Sequence, residues 1–195
     1  MSSAPKGERR ALDAYYTPDD LARVLVEQLP IGPADYVLEP NVGGGAFARA
    51  CGVRPGPVVV GVDIDPNAAG FADCHAFECH DFLDTPAPKP DLNWVIGNPP
   101  FSLAREHVEH ALTLAPNVAF LLRLAFLESA DRLPFWQGDG SCLRKVWVLA
   151  ERPSFTGGAT DSAAYGFFWW SRHWQGASEI EVLSWKNRKQ VGLFG

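Results

Sequence analysis

The sequence predicts an α/β fold built on a mostly parallel sheet, and three observations carry that prediction. Short, continuous apolar runs alternate with segments of helical periodicity along most of the chain. Four of these stretches end on a polar residue at a strand end: Glu39, Asp63, Asp81 and Asn98. The last two apolar runs, 164–171 and 179–185, follow one another without a helix and read as a hairpin at the sheet edge.

Taken in order, residues 1–15 read as a flexible polar arm, and 16–195 as one domain. Thr17-Pro18-Asp19-Asp20 is a helix start, with Thr as N-cap, Pro at the first helical position and acids in the first turn. Leu21, Val24, Leu25 and Leu29 mark its apolar face, and Pro30 stops it. Tyr36-Val37-Leu38 is a short strand entering the glycine-rich turn Glu39-Pro40-Asn41-Val42-Gly43-Gly44-Gly45, and 46–51 is the next helix. Val58 to Val62 is a second buried strand and the segment around Phe77 a third; 86–90 is a proline-rich connection. Trp94 to Gly97 is the fourth strand. Helix 102–114, strand 118–124, a helix around 126–136, strand 145–150 and the two final strands complete the pattern.

With 195 residues and 47% apolar content the chain can fill one sizeable core. No stretch reaches the ~18 apolar residues of a membrane span, and the N-terminus lacks a signal-peptide core, so no membrane and a cytoplasmic setting are expected. Four cysteines make no disulfide framework. The net charge of −6 argues against tight non-specific nucleic-acid binding. Its cations nevertheless cluster at Lys6, Arg9 and Arg10, at Arg144, Lys145 and Arg152, and at Lys186, Arg188 and Lys189; local basic surfaces and scattered solvated charges both fit.

Asn98-Pro99-Pro100-Phe101 carries the sharpest chemistry. An Asn carbonyl and the carbonyl of a conformationally fixed proline are two convergent acceptors, and an aromatic face follows them. That set suits a planar group bearing an NH2. Holding both N–H groups, one out of plane, favours a pyramidal nitrogen whose lone pair can attack a methyl group. A ring such as Phe101 stacks on a base for roughly 1–3 kcal/mol. In open α/β sheets ligands bind outside the carboxyl ends of the strands. A glycine turn there lets a ligand approach the backbone, and an acid ending the next strand, Asp63, lies 20 residues after Gly43 and suits a ribose diol.

Together these motifs resemble the class I S-adenosylmethionine-dependent methyltransferases, and within them the adenine-N6 amino-methyltransferases with the gamma motif order. The resemblance implies a Rossmann-like three-layer fold with a mostly parallel, seven-stranded sheet and an antiparallel hairpin at its edge. It also implies methyl transfer to adenine N6 in DNA. In S-adenosylmethionine binding it implicates Tyr16 and Thr17 near the methionine carboxylate, then Glu39, Asn41, Gly43, Gly45 and Phe47 of the cofactor loop. Asp63 with Ile64 would take the ribose, Asp81 with Phe82 the cofactor's adenine, and Asn98, Pro99, Pro100 and Phe101 the reacting amine and its base. Phe155, in Arg152-Pro153-Ser154-Phe155, would flank the target base. No metal is required.

The chain departs from the pattern in one respect: no large target-recognition region follows Phe155, and loops 137–144 and 156–163 are short. DNA is expected ahead of RNA, with selectivity low or supplied by a partner or a homodimer. An RNA methyltransferase, a glutamine-amide protein methyltransferase and a non-catalytic subunit are the alternatives. Elsewhere, Cys74-His75 and Cys79-His80 are metal-ligand types without the spacing of a known finger, so core and loop roles are expected. His107 and His110, three apart with Glu106 and Glu109, form a candidate metal face for which a solvated or partly packed helix surface is expected. The aromatics Phe167, Phe168, Trp169 and Trp170 are expected in the core or at a dimer interface.

Overall fold

The computed structural model describes residues 16–52, 56–87, 91–155 and 162–186. The arm 1–15, the cations Lys6, Arg9, Arg10, Arg188 and Lys189, and most of loop 156–163 lie outside the described residues.

Helix α1 (Asp19–Val26) buries Leu21, Ala22, Val24 and Leu25, the face its periodicity predicts. Strand β1 (Tyr36–Pro40) leads through the glycine turn into α2 (Ala46–Cys51), and β2 (Val58–Asp63) lies parallel to β1. Strands β3 (Ala76–Cys79) and β4 (Trp94–Gly97) follow, then α3 (Ala104–Leu114) and β5 (Asn117–Arg123). Helix α4 (Leu133–Gln137) precedes β6 (Leu143–Leu149), β7 (Tyr165–Ser171) and β8 (Glu179–Leu183).

The eight strands of the described residues join one sheet in the order β3-β2-β1-β4-β5-β7-β6-β8. The α/β class, the mostly parallel sheet and the Rossmann-like three-layer arrangement hold. The count is eight rather than seven, and the antiparallel hairpin is β6–β7 rather than the last two strands. Strand β7 inserts antiparallel between β5 and β6, and β8 adds to β6 in parallel as the edge strand. The reason is burial. Every residue of β7 is buried, whereas four of five in β8 are exposed, so the aromatic strand takes the interior position.

Two apolar layers sandwich the sheet. On one face α1 and α2 pack Leu21, Leu25 and Phe47 against Ile96, Phe167 and Trp169. On the other, α3 and α4 pack Val108, Leu112 and Phe135 against Val95, Phe168 and Trp170. Phe167, Phe168, Trp169 and Trp170 of β7 therefore divide between the two layers as core. The expected helix around 126–136 is instead two short 3-10 turns and the five residues of α4. Ser129, at φ 120°, breaks it, and Arg132 donates from Nη1 to the carbonyls of Ala125, Phe126 and Glu128.

Because β1 has β2 on one side and β4 on the other, the strand order reverses between β1 and β4. A crevice opens at the carboxyl ends of such a pair. Glu39 and Asn98 stand on its two sides.

Candidate active site

A cavity of about 570 Å³ fills that crevice. Its walls include Tyr16, Thr17, Glu39, Asn41, Gly43, Phe47, Asp63, Ile64, Asp81, Phe82, Asn98 and Pro100, twelve residues singled out from the sequence. The fold brings them together from five separate segments.

The glycine turn is shaped by backbone contacts. The N–H groups of Asn41 and Val42 both donate to the carbonyl of Val62, at 2.7 and 3.1 Å, which clips the turn to the end of β2. Asn41, Gly43 and Gly45 take φ of 67°, 49° and 76°. Gly45 does not line the cavity. It packs on the 3-10 turn Ala69–Asp73, where a Cβ would stand 2.6 Å from the Cα of Gly70. Gly70 in turn donates its N–H to the carbonyl of Gly43 at 2.9 Å. Glycine is needed at 45 for both conformation and space.

Asp63 organises its surroundings with both oxygens. Oδ2 accepts from the Gly43 N–H at 2.8 Å, and Oδ1 accepts from the Asp65 N–H at 2.9 Å. Each carboxylate oxygen keeps a second acceptor site for a ligand hydroxyl. Glu39, only 3% exposed, accepts from the Ala48 N–H at 2.7 Å and so caps α2 from beneath the cavity. Burial pushes its carboxyl up to about 8, against the lowering effect of the Ala48 and Phe47 N–H groups and of Arg49; nearby Asp63 raises it further. Asp81 caps the 3-10 turn Phe82–Asp84 through the Leu83 N–H.

His107 and Leu103 also line the cavity, and neither was among the expected site residues. The His107 ring stacks on Phe82 at 5.2 Å between centroids, while His110 meets Phe82 edge-on at 5.0 Å. The two histidines are thus packing partners of Phe82, spaced three apart on α3; only that spacing, read as a packing face toward Phe82, could have revealed them. Among the described residues no group of three or more His, Cys, Asp or Glu is placed to hold a metal ion.

The corner after β4 differs in detail from expectation. Asn98 donates from Nδ2 to Thr17 Oγ1 at 3.1 Å. Thr17 therefore does not cap α1: Pro18 occupies the N-cap position, its side chain offers no acceptor, and the Thr17 hydroxyl bonds to the corner instead. Pro99, Phe101 and Phe155 stand outside the cavity wall. Phe155 is buried, edge-on to Phe101 at 6.3 Å and to Tyr165 at 5.1 Å. Phe101 lies 5.5 Å from Tyr165 and carries the Arg123 guanidinium over its ring at 4.8 Å. These aromatics form a cluster beside the cavity.

Sheet order, layering and the ligand crevice are those of the class I methyltransferase fold. A type I restriction-modification methyltransferase subunit from Streptococcus thermophilus superposes with TM-score 0.65 at 14% identity, over 88% of this chain and 47% of that one. The 23S rRNA methyltransferase ErmE superposes with TM-score 0.60 at 19% identity, over 80% of this chain and 69% of that one. In sequence, the chain is 35% identical over 102 residues to the type II methyltransferase M.CvrRI of Paramecium bursaria Chlorella virus XZ-6E. That match covers 49% of this chain and spans about a quarter, 26%, of the relative's length. No family model matches the chain. Among the described residues no helix is long and apolar enough to cross a membrane.

Proposed function

We propose that this chain is an S-adenosylmethionine-dependent methyltransferase acting on the N6 amine of adenine in DNA. The observation that carries the reading is the character of the cavity around Asn98. Four carboxyl groups, Glu39, Asp63, Asp65 and Asp81, line it, and no Lys or Arg does so among the described residues. Such a wall disfavours phosphate-bearing ligands and suits a cationic one. S-adenosylmethionine has a ribose diol for Asp63, an adenine for the Asp81–Phe82 region and a positively charged methionyl portion for the buried carboxyl of Glu39. When bound it would supply an activated methyl group on a sulfonium.

The chain's own residues then have defined tasks. The glycine turn and α2 hold the cofactor-side wall. Asn98 accepts from the amine through its side-chain oxygen, and the Pro99 carbonyl is the second acceptor of the corner. Both acceptors favour the nitrogen as it becomes pyramidal and positively charged, so they act on the transition state more than on the ground state. Phe101 offers an aromatic surface for the base, and the Arg123 guanidinium lies over that ring at 4.8 Å. Phe155 supports Phe101 from behind rather than touching the base directly. An adenine in duplex DNA must leave the stack to reach the corner, at a cost of a few kcal/mol. Sequence selectivity is low or is supplied by a partner subunit or a second copy of the chain.

The test is methyl transfer from labelled S-adenosylmethionine to duplex DNA, single-stranded DNA, structured RNA and protein, followed by a nucleoside digest. Label in DNA as N6-methyladenine, abolished by Asn98→Ala with cofactor binding retained, is the expected result. Label on cytosine N4 overturns the choice of base. Label only in RNA or on glutamine amides overturns the polymer, and transfer that survives Asn98→Ala overturns the mechanism.

A further inference from the structure

We infer that Thr17 is a positioning residue for Asn98: its hydroxyl oxygen accepts from Nδ2 and holds the side-chain amide in place beside the reacting amine. The inference rests on the methyl-transfer reading above and gives Thr17 a task distinct from cofactor binding or helix capping.

An asparagine amide is nearly symmetric in shape and opposite in chemistry at its two ends. Rotated by half a turn, Asn98 would present an NH2 to the amine it is meant to hold, donor against donor. The backbone of a proline-rich corner cannot prevent that rotation, because it leaves the terminal side-chain torsion alone. A hydrogen bond to the amide restrains that torsion. Nδ2 donates to Thr17 Oγ1, 3.1 Å away and 81 residues distant in sequence. Both residues line the same cavity, so the bond joins the N-terminal segment to the end of β4 at its wall.

Thr17 can serve as a fixed reference because its own segment is held on both sides. Before it, the Tyr16 ring lies against the glycine turn, where a Cβ on Gly44 would come within 3.1 Å of Tyr16 Cδ1 and one on Gly43 within 3.3 Å of Cε1. After it, the Pro18 carbonyl accepts from the Ala22 N–H at 3.0 Å, and Asp19 pairs with Arg49 at 2.6 Å. Arg49 also donates to the carbonyl of Gly44 at 2.7 Å, which ties the segment back to the same turn. Residues 16–19 thus form a strap anchored on the cofactor-side loop and reaching the catalytic corner. The β-branched side chain of threonine limits χ1 and keeps the hydroxyl aimed there.

Two measurements test this. In kinetics, Thr17→Val keeps the shape and removes the acceptor, whereas Thr17→Ser restores it. Thr17→Val is expected to lower kcat about 10- to 100-fold, the range for a misplaced reacting group, while the calorimetric Kd for S-adenosylmethionine changes less than about 2-fold. Thr17→Ser is expected to recover most of kcat. A Kd that rises in step with the loss of kcat makes Thr17 a cofactor contact and overturns the proposal, as does an unchanged kcat. Should the valine variant fail to fold, Thr17→Ala carries the same comparison. The second measurement is independent of activity: the Asn98 side-chain amide resonance, assigned by its disappearance in Asn98→Ala. It is expected to shift in Thr17→Val and return in Thr17→Ser. An unmoved resonance overturns the proposal even if the protein methylates nothing; a wild-type protein that transfers no methyl group, with the shift present, removes the functional reading and leaves the positioning role standing.

Discussion

Replacing Glu39 with glutamine isolates one buried ionisation and its consequence for stability. Glu39 is 3% exposed, and burial holds its carboxyl at about 8 against an ordinary 4.5. The folded state therefore binds that proton more tightly than the unfolded chain does. The resulting stabilisation is present in full below pH ~4.5, declines as the pH rises, and is lost above about 8. A difference of about 3.5 units at ~1.36 kcal/mol each sets an upper bound of roughly 5 kcal/mol, of which about 3 kcal/mol has gone by pH 7. Glutamine is neutral throughout and retains a carbonyl oxygen for the Ala48 N–H. Urea unfolding of both proteins between pH 5 and 9 is the assay. Groups common to both cancel in the difference, including Asp63, Arg49, Cys51 and Cys74, which are the charged or titratable neighbours of Glu39. The variant is expected to gain on wild type by up to ~1.4 kcal/mol per pH unit between about 5 and 8, with a plateau above that. A difference that stays flat across this window refutes the reasoning. The same carboxyl makes binding of a cationic cofactor release up to one proton near pH 7, visible by calorimetry in buffers of differing ionisation enthalpy and absent in Glu39→Gln.

Two further outcomes are expected. Gly45→Ala places a Cβ 2.6 Å from the Cα of Gly70 and 2.7 Å from Asp73 Oδ2, at φ 76°. It should cost at least about 2 kcal/mol by denaturant melting and weaken S-adenosylmethionine binding, because the turn can relax only by leaving the 3-10 turn it packs on. Among the cysteines, Cys79 is exposed, while Cys51 is buried and Cys74 and Cys142 are half-buried. Burial raises all three of the latter thiols, that of Cys74 to about 12. At pH 8 a disulfide reagent should label one thiol quickly, Cys79, and the remaining three only on unfolding; fast labelling that persists in Cys79→Ser contradicts this assignment.

Much of the site was legible because its chemistry sits where local pattern is strongest. The run Trp94 to Gly97 is wholly buried, and a continuous apolar run bounded by a turn is what a strand covered on both faces requires. Once the strand ends are found, Glu39, Asp63, Asp81 and Asn98 follow, since parallel strands bring their carboxyl ends to one edge. The helix expected around 126–136 failed for an equally local reason: its apolar residues fit the period, and the positive φ of Ser129 does not show in composition. That Phe155 is buried edge-on to Phe101 and Tyr165 was not legible, because the identity of an aromatic residue does not reveal which of its faces the fold covers.

The sequence by itself determined the elements and the residue types that end them, including the glycine turn and the Asn98-Pro99-Pro100 corner. Those depend on neighbours within a few positions, through backbone sterics and the alternation of apolar residues. Only the tertiary structure decided that β7 enters the sheet between β5 and β6, that four carboxyl groups converge on one cavity, and that Thr17 holds the amide of Asn98. Each of these joins residues far apart in the chain, and such contacts are selected by burial and hydrogen-bond satisfaction across the whole packed sheet, quantities that no local window contains.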